Sequence, residues 1–397
     1  MVNRLHALKI VINGHPLFRD STEFSFVVNQ RVAESGSEDL THLFGSIYVN
    51  NLTAIIGRNA SGKTMTMRLV IGVLQLLLEK ISIPQTRLQE ALFSNNTISF
   101  DSYFYSDDKT LFKDHLELKM GSSSTNDWQI TSESIFSRHA KSSESRHSIF
   151  EFQDRDLEIS RNQLNQNESS LLAPDDSLMR SIIAKHKLNV PTIFDTLALT
   201  DVNIMLYGSE NVPNALLEYL DPSVDSLQIE HTEDRHTFYR LKFKGNSHEI
   251  VESNFATISK YLSSGTAKAI TLYQMLLGAL RTGGIVFVDE IENHFHKEIV
   301  KNFLEFFANK QINKKQASIV FSTHYAGLID TLSRGDQVYV IRRHDQIQVD
   351  RYSELVPRAD SKRSELFTST YLTGTAPEYD AYMALRRSTI QEVINGR

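Results

Sequence analysis

Eight consecutive residues carry the clearest chemistry in the chain: Gly57, Arg58, Asn59, Ala60, Ser61, Gly62, Lys63 and Thr64. They match the pattern GxxxxGK[ST], whose glycines allow a tight turn that aims backbone N–H groups at phosphate oxygens. In this pattern the side chain of Lys63 reaches the terminal phosphates and the Thr64 hydroxyl ligates Mg²⁺. The loop stands between the apolar run LTAIIG and a segment with helical periodicity, as the motif requires. The sequence therefore predicts binding of ATP and Mg²⁺.

Two acidic residues, Asp289 and Glu290, follow the four apolar residues of 285–288. A buried parallel strand that ends in this way delivers carboxylates to the carboxyl edge of a sheet. There Asp289 would hold the metal ion and Glu290 would polarise the attacking water. On its own the run also suits a core strand that ends in a solvated acidic turn. The phosphate loop upstream favours the catalytic interpretation.

Four further candidates, Ser263, Ser264, Gly265 and Thr266, come immediately before a helix predicted over 267–281. Their hydroxyl groups, the glycine backbone and the helix N-terminus would suit an anion. The same residues would serve equally well as a plain helix cap. A further apolar segment, 318–324, follows the acidic strand and ends in His324.

The order of these segments resembles the order of signature, Walker B and switch-histidine segments in ABC-type ATPases. Three runs resemble the ABC-type ATPases of bacterial abortive-infection and related anti-phage systems, which are relatives of the OLD nucleases: LSSGTAKAITLYQMLLGALRTGGIVFVDEIENHFH, FSTHYAGLID and SKRSELFTSTYLTGTAPEY. The resemblance implies that two chains enclose ATP, with Lys63 and Glu290 of one chain facing 263–266 of the other. It also implies that His324 contacts the γ-phosphate.

The chain departs from the family pattern in its signature and in its metal-binding glutamine. Ala267 stands where the signature commonly has glutamine, and neither Gln129 nor Gln153 is assigned as a metal ligand. A zinc or di-metal nuclease cluster after the acidic strand is a weaker alternative, because carboxylates and imidazoles suit several metals. Its members would be Asp289, Glu290, Glu292, His294 and His296.

The function implied by the resemblance is that of a regulatory or sensor ATPase in an anti-phage defence system. It would form a homodimer or higher oligomer around ATP and control a separately encoded effector, a nuclease or toxin. One alternative is a DNA-repair ATPase that clamps DNA, as SMC-like proteins do, although no sustained heptad pattern indicates a long coiled coil. The nucleotide-binding subunit of a membrane transporter is a third interpretation, which the long insertion disfavours.

The composition of the 397 residues is that of an ordinary globular protein with a formal net charge of −6. This charge argues against a dedicated DNA-wrapping protein but leaves a local nucleic-acid site open. The chain has no cysteine, which excludes thiol chemistry and fits a cytoplasmic location. No export signal is visible, and the apolar stretch 69–78 is too short to cross a bilayer. We therefore expect no membrane partner.

The expected fold is α/β, a P-loop NTPase of the ABC ATPase type with a mixed central sheet, a flanking antiparallel β-subdomain and a helical insertion. Residues 1–120 would form the N-terminal part of the ATPase core, with the phosphate loop and the β-subdomain. Residues 121–250 are polar with helical stretches and are interpreted as an insertion. Residues 251–397 would complete the core and end in a C-terminal tail. Antiparallel hairpins are predicted over 97–120 and 226–244.

Overall fold

The residues that the structure describes form two six-stranded sheets, one three-stranded sheet and one two-stranded sheet. The computed structural model describes residues 3–33, 37–94, 96–121, 127–165, 172–197, 212–232, 236–293, 295–356, 362–369, 372 and 379–394. The strands of these residues are β1 (Leu5–Asn13), β2 (Thr22–Ser25), β3 (Leu40–Phe44), β4 (Ile47–Asn50), β5 (Leu52–Ile56), β6 (Ile98–Ser106), β7 (Thr110–Met120), β8 (Trp128–His139), β9 (Leu157–Ser160), β10 (Ile193–Asp195), β11 (Val224–His231), β12 (Thr237–Phe243), β13 (Ile250–Glu252), β14 (Ile285–Val288), β15 (Ser318–Thr323), β16 (Val338–Arg343) and β17 (Ile347–Arg351). Their α-helices are α1 (Lys63–Leu78), α2 (Leu88–Ala91), α3 (Met179–Lys185), α4 (Asn214–Leu220), α5 (Phe255–Ile258), α6 (Ser264–Thr282), α7 (Lys297–Ala308), α8 (Tyr352–Leu355), α9 (Arg363–Thr368) and α10 (Tyr379–Ile394).

The central sheet has the strand order β10-β14-β15-β5-β16-β17. Its first five strands are parallel and β17 pairs antiparallel with β16, which confirms the expected mixed sheet. Successive residues of β5 face opposite cores, because Ile55 packs into one hydrophobic cluster while Ala54 and Ile56 pack into the other. Burial on both faces explains why β14 is a continuous apolar run and why β5 is apolar except for Thr53.

The two cores divide the helices between the faces of this sheet. Apolar residues of α1 pack in the same cluster as those of the antiparallel sheet, including Phe100 and Phe112. Residues of α6 and α7, such as Leu276 and Phe303, pack in the cluster on the other face. The fold is therefore layered, with the central sheet between α1 on one side and α6 and α7 on the other.

The antiparallel sheet has the order β2-β1-β6-β7-β8-β9. The hairpin predicted over 97–120 is confirmed, because β6 and β7 pair along their whole length. Strand β8 belongs to the predicted insertion, yet it pairs with β7 from one end to the other, and β9 extends the sheet further. This sheet thus takes strands from both sides of residue 120. The division into 1–120, 121–250 and 251–397 stays a prediction.

Several other predicted elements are also confirmed. Strands β11 and β12 form the hairpin expected over 226–244, and β13 adds a third strand. Helices occupy 179–185 and 214–220, where helical stretches were expected. The β3–β4 hairpin, which lies directly before the phosphate-loop strand, was not predicted.

Candidate functional site

The phosphate loop connects the end of β5 to the start of α1, as the sequence predicts. Gly62 caps the helix with a φ of 108°, and Ala60 has a φ of 62°, so the loop turns sharply at both positions. The Nζ atom of Lys63 donates to the carbonyl of Gly57 at 2.9 Å and to that of Arg58 at 3.3 Å. These bonds hold the lysine against its own loop, where backbone N–H groups at the helix N-terminus would suit an anion.

The carboxylate of Asp289 receives a hydroxyl group on each side. The Thr64 Oγ1 atom donates to Asp289 Oδ2 at 2.7 Å, and Ser322 Oγ donates to Asp289 Oδ1. Thr64 comes from α1, Asp289 follows β14 and Ser322 lies on β15, which runs between β14 and β5. The structure therefore brings together two residues predicted to bind a metal, Thr64 and Asp289, over a separation of 225 positions.

Glu290 is held in a single orientation by three contacts. Its backbone has a φ of 47°, which is uncommon for a residue with a side chain. Its N–H donates to Ser322 Oγ at 2.8 Å, and its Oε2 atom accepts from Asn293 Nδ2 at 3.1 Å. The Asn293 N–H also donates to the Glu290 carbonyl at 2.8 Å, which closes the turn after β14. Glu290 is thus hydrogen-bonded both to β15 and to the turn that follows β14.

Lys63 lies near three acids of the site. Burial lowers the pKa of its ammonium group, while the charges of Glu290, Asp289 and Glu292 act in the opposite direction. The three carboxylates lie around one lysine, so the local charge is negative before any phosphate arrives. A bound divalent cation would offset this charge.

His324 contacts Glu292, which lies on the turn after β14. Its Nδ1 atom is 2.9 Å from Glu292 Oε1, and its backbone N–H donates to the same oxygen at 2.7 Å. The histidine side chain is 49% exposed, whereas that of Glu292 is 13% exposed. One half-buried carboxylate therefore contacts both the backbone and the ring of the predicted switch histidine.

Comparison with known proteins decides the family. The family described as "AAA domain, putative AbiEii toxin, Type IV TA system" matches residues 52–330, which include the phosphate loop, the acidic strand and His324. The chain belongs to this AAA-domain family. A search of curated proteins finds no match.

Three solved structures similar to this AAA protein have low sequence identity. An SMC head bound to the C-terminal winged-helix domain of ScpA is 13% identical, with a TM-score of 0.46, over 87% of this chain and 97% of that one. The recombination mediator RecF of the RecFOR pathway with ATPrS is 11% identical, with a TM-score of 0.39, over 88% and 99%. The same mediator with ATP is 12% identical, with a TM-score of 0.37, over 88% and 98%.

The segment Ser263–Thr266 begins helix α6 of the AAA protein. Ser263 is the N-cap, and its Oγ atom accepts from the Thr266 N–H at 2.9 Å and lies 2.8 Å from Thr266 Oγ1. Ser264 is exposed, and Gly265 is half-buried in the first turn. These hydrogen bonds lie within the cap itself and not on the phosphate loop. The next turns of α6 line a cavity of ≈ 30 Å³ beside Asp289 and Glu290.

The remaining candidates of the sequence lie outside the cluster of acids. His296 caps helix α7, where its Nδ1 atom accepts from the Glu298 N–H at 3.4 Å, and His294 lies outside the described residues. Gln129 is on β8, and Gln153 precedes the short 3₁₀ helix Asp154–Asp156. In the described part of the chain no group of three His, Asp or Glu side chains could hold a metal ion by itself.

Sequence reasoning missed two residues of the site, Ser322 and Asn293, and it considered Glu292 only as a ligand of the alternative metal cluster. Ser322 stood inside a segment already chosen for its histidine, and a hydroxyl at the end of a buried strand was an available signal. Asn293 follows Glu290 by one helical turn, which is a spacing that permits contact. No local pattern could pair Glu292 with His324, because the two are separated by 32 positions.

The residues present fit ATP and Mg²⁺. The Ser61 hydroxyl is buried inside the phosphate loop and has no hydrogen-bond partner among the described residues, as expected of a group aimed at a ligand. The oxygens of Thr64 and Asp289 lie side by side, and oxygen is the ligand that Mg²⁺ prefers. The AAA protein therefore brings together groups that suit phosphate and groups that suit a hard cation.

Proposed function

We propose that this AAA protein is a Mg²⁺-dependent ATPase that hydrolyses ATP between two copies and acts as the regulatory subunit of an anti-phage defence system. The observation that carries the ATPase proposal is the arrangement of Asp289 between the hydroxyls of Thr64 and Ser322, with Glu290 next to it. In this arrangement the phosphate loop lies next to Asp289, whose carboxylate would ligate the metal ion. Glu290 lies beside it and would activate the attacking water.

Each residue of the phosphate loop has a role in binding. The N–H groups from Gly57 to Thr64 would cradle the phosphates, and the ammonium group of Lys63 would exchange its carbonyl partners for β- and γ-phosphate oxygens. Thr64 and Asp289 would hold Mg²⁺, which when bound neutralises charge on the phosphates. The negative charge of the nucleotide would thereby be balanced by Mg²⁺ and by the ammonium group of Lys63.

Glu290 and His324 would act at the γ-phosphate. The Glu290 carboxylate is held by Asn293 and the Glu290 backbone by Ser322, and the carboxylate would accept a proton from the attacking water. His324, which is half-exposed at the end of β15, would donate a hydrogen bond to a γ-phosphate oxygen. Both residues are oriented by neighbours, so little reorganisation is needed when ATP binds.

A second copy of the chain would complete the site with Ser263, Ser264, Gly265 and Thr266. The N-terminus of α6 suits an anion, and its capping hydroxyls lie at that end of the helix. In one copy these residues bond to each other rather than to the phosphate loop. In a homodimer with ATP at its interface, these four residues would contact the phosphates of the nucleotide bound to the other copy.

The regulatory role in defence is supported by the description of the family, which names a putative AbiEii toxin and a type IV toxin–antitoxin system. The effector would be a separately encoded nuclease or toxin, and the ATP-bound dimer would restrain or release it. A cytoplasmic location fits the absence of cysteine. No helix in the described ranges is both long and apolar enough to cross a membrane.

Two variants test the ATPase. Lys63→Ala is expected to abolish ATP binding, whereas Glu290→Gln should bind ATP and hydrolyse it about 10²- to 10⁴-fold more slowly, because the general base is lost. Glu290→Gln should also accumulate as an ATP-bound dimer, which size-exclusion chromatography with light scattering measures. Glu305→Gln, an exposed acid on α7, is the matched control. An unchanged rate of hydrolysis in Glu290→Gln would contradict the role of Glu290 as the general base.

A pull-down tests the regulatory part. Tagged Glu290→Gln protein is recovered from its native host in the presence of ATP and Mg²⁺, and bound proteins are identified by mass spectrometry. A stoichiometric nuclease or toxin is the expected result. Recovery of chromosomal DNA with repair proteins would instead favour the alternative of a DNA-clamping repair ATPase.

A further inference from the structure

Glu292 and His324 form a pair in the site whose contact no motif assigns. Glu292 Oε1 accepts the backbone N–H of His324 at 2.7 Å and lies 2.9 Å from its Nδ1 atom. The other oxygen, Oε2, is buried and has no hydrogen-bond partner among the described residues. A carboxylate placed in this way costs desolvation energy, which a purely structural role would offset by satisfying both oxygens.

The contact fixes which nitrogen of the imidazole carries hydrogen. A carboxylate only accepts hydrogen bonds, so Nδ1 must be the donor. The hydrogen bond made by one ring nitrogen determines which nitrogen of a neutral histidine carries hydrogen. In His324 the nitrogen that makes this bond is Nδ1, and its partner is Glu292. Nε2, on the opposite side of the ring, is thereby left to meet a ligand.

We propose that Glu292 is a positioning residue that orients His324 so that Nε2 faces the γ-phosphate. This proposal rests on the proposed ATPase function and assigns it one further residue. Glu292 acts in two ways: it holds the backbone at the end of β15, and it keeps the Nδ1 hydrogen directed at its own carboxylate, so that Nε2, when it carries a proton as well, donates to the γ-phosphate. Glu292 follows the Walker B acids by two positions, so the same turn orients the catalytic base and the histidine.

A double-mutant cycle tests whether Glu292 acts through His324. His324→Ala should lower kcat about 10²-fold, as expected for loss of one donor to the developing charge. Glu292→Ala should lower kcat about ten- to a hundredfold with little change in KM. Because the two side chains form one unit, the double variant should be no slower than His324→Ala alone. Losses that multiply in the double variant would overturn the proposal.

The conservative variant Glu292→Gln separates geometry from charge. Its amide oxygen still accepts from the N–H and Nδ1 of His324, so part of the activity lost in Glu292→Ala should return. Glu298→Ala, which removes an exposed acid paired with Lys301, is the control and should match the wild-type protein. Glutamine that behaves no better than alanine would contradict the positioning role.

A spectroscopic measurement gives a readout that does not depend on turnover. In protein with ¹⁵N-labelled histidine, the signal missing in His324→Ala identifies this ring, and its nitrogen shifts should show hydrogen on Nδ1. In Glu292→Ala the signal should move towards an average of both tautomers. An unchanged signal would overturn the proposal. If the wild-type protein does not hydrolyse ATP, the ATPase proposal fails, whereas the tautomer result still reports on Glu292.

Discussion

Replacement of Ser322 by alanine is the most direct perturbation of the site, because one hydroxyl serves two acids. The Ser322 Oγ atom donates to Asp289 and accepts from the N–H of Glu290 at 2.8 Å. Ser322 is 0% exposed, so water does not reach the position to replace the hydroxyl. The substitution would leave the Glu290 N–H without its partner and one Asp289 oxygen without its donor.

The size of the effect follows from these two bonds. A hydrogen bond to a charged group contributes about 1.5–3 kcal/mol. A difference of about 1.4 kcal/mol in the activation free energy changes a rate tenfold. If the loss falls on the orientation of Asp289 and Glu290, kcat should decrease about ten- to a hundredfold in Ser322→Ala. ATP binding should persist, because Lys63 and the phosphate loop keep their contacts.

Steady-state hydrolysis measures kcat, and equilibrium binding of a fluorescent ATP analogue measures the affinity for ATP. Ser318→Ala, at the other end of β15, is the matched control for loss of a hydroxyl from this strand. Thermal unfolding confirms that both variants are folded. A folded Ser322→Ala protein with kcat within twofold of the wild type would refute the reasoning that this hydroxyl orients the acids.

Two further predictions concern the phosphate loop and the antiparallel sheet. Gly62→Ala should lose ATP binding in a titration with a fluorescent ATP analogue, because the residue has a φ of 108° and a Cβ would lie 2.5 Å from Ile347 Cδ1. The control is Gly245→Ala, which should bind ATP normally, because Gly245 has a φ of 77° but no neighbour within 4 Å. Burial, and then the charge of Glu133, raise the pKa of Asp114 well above 3.8. The folded state therefore keeps a proton that the unfolded chain loses, so stability should fall as pH rises through the folded pKa. Melting temperatures between pH 5 and 9 should show a smaller decline in Asp114→Asn, and equal slopes would contradict this account.

The parts of the site that the sequence predicted are those whose requirements are local. The phosphate loop needs left-handed backbone and a lysine within eight residues, and its strand and helix follow directly in the chain. Ser263 caps α6 through an N–H three positions away, which is also a local bond. Such features are visible in sequence because few other conformations satisfy the same residues.

The parts that the sequence did not predict depend on residues far apart in the chain. Strand β8 is rich in serine and carries Glu133, so its composition is typical of a polar loop. The structure buries Glu133 completely, because Ser177 Oγ donates to it at 2.5 Å and the Leu178 N–H donates at 2.8 Å. Since these donors come from a segment more than forty positions away, periodicity within β8 could not reveal that its acid is satisfied.

The position of β15 has a consequence for how the proposed dimer would be regulated. This strand pairs with both β14 and β5, and its carboxyl end carries Ser322 and precedes His324. Ser322 cannot move relative to Asp289 without disturbing its pairing with Ile55 of β5 and the hydrogen bond that its carbonyl accepts from the Ile291 N–H. The residues that one chain contributes to the site are therefore already in position before ATP binds. The side chain of His324 is half-exposed. In the proposed function, we expect control to act through the approach of a second copy with its Ser263–Thr266 segment, and not through rearrangement of the central sheet.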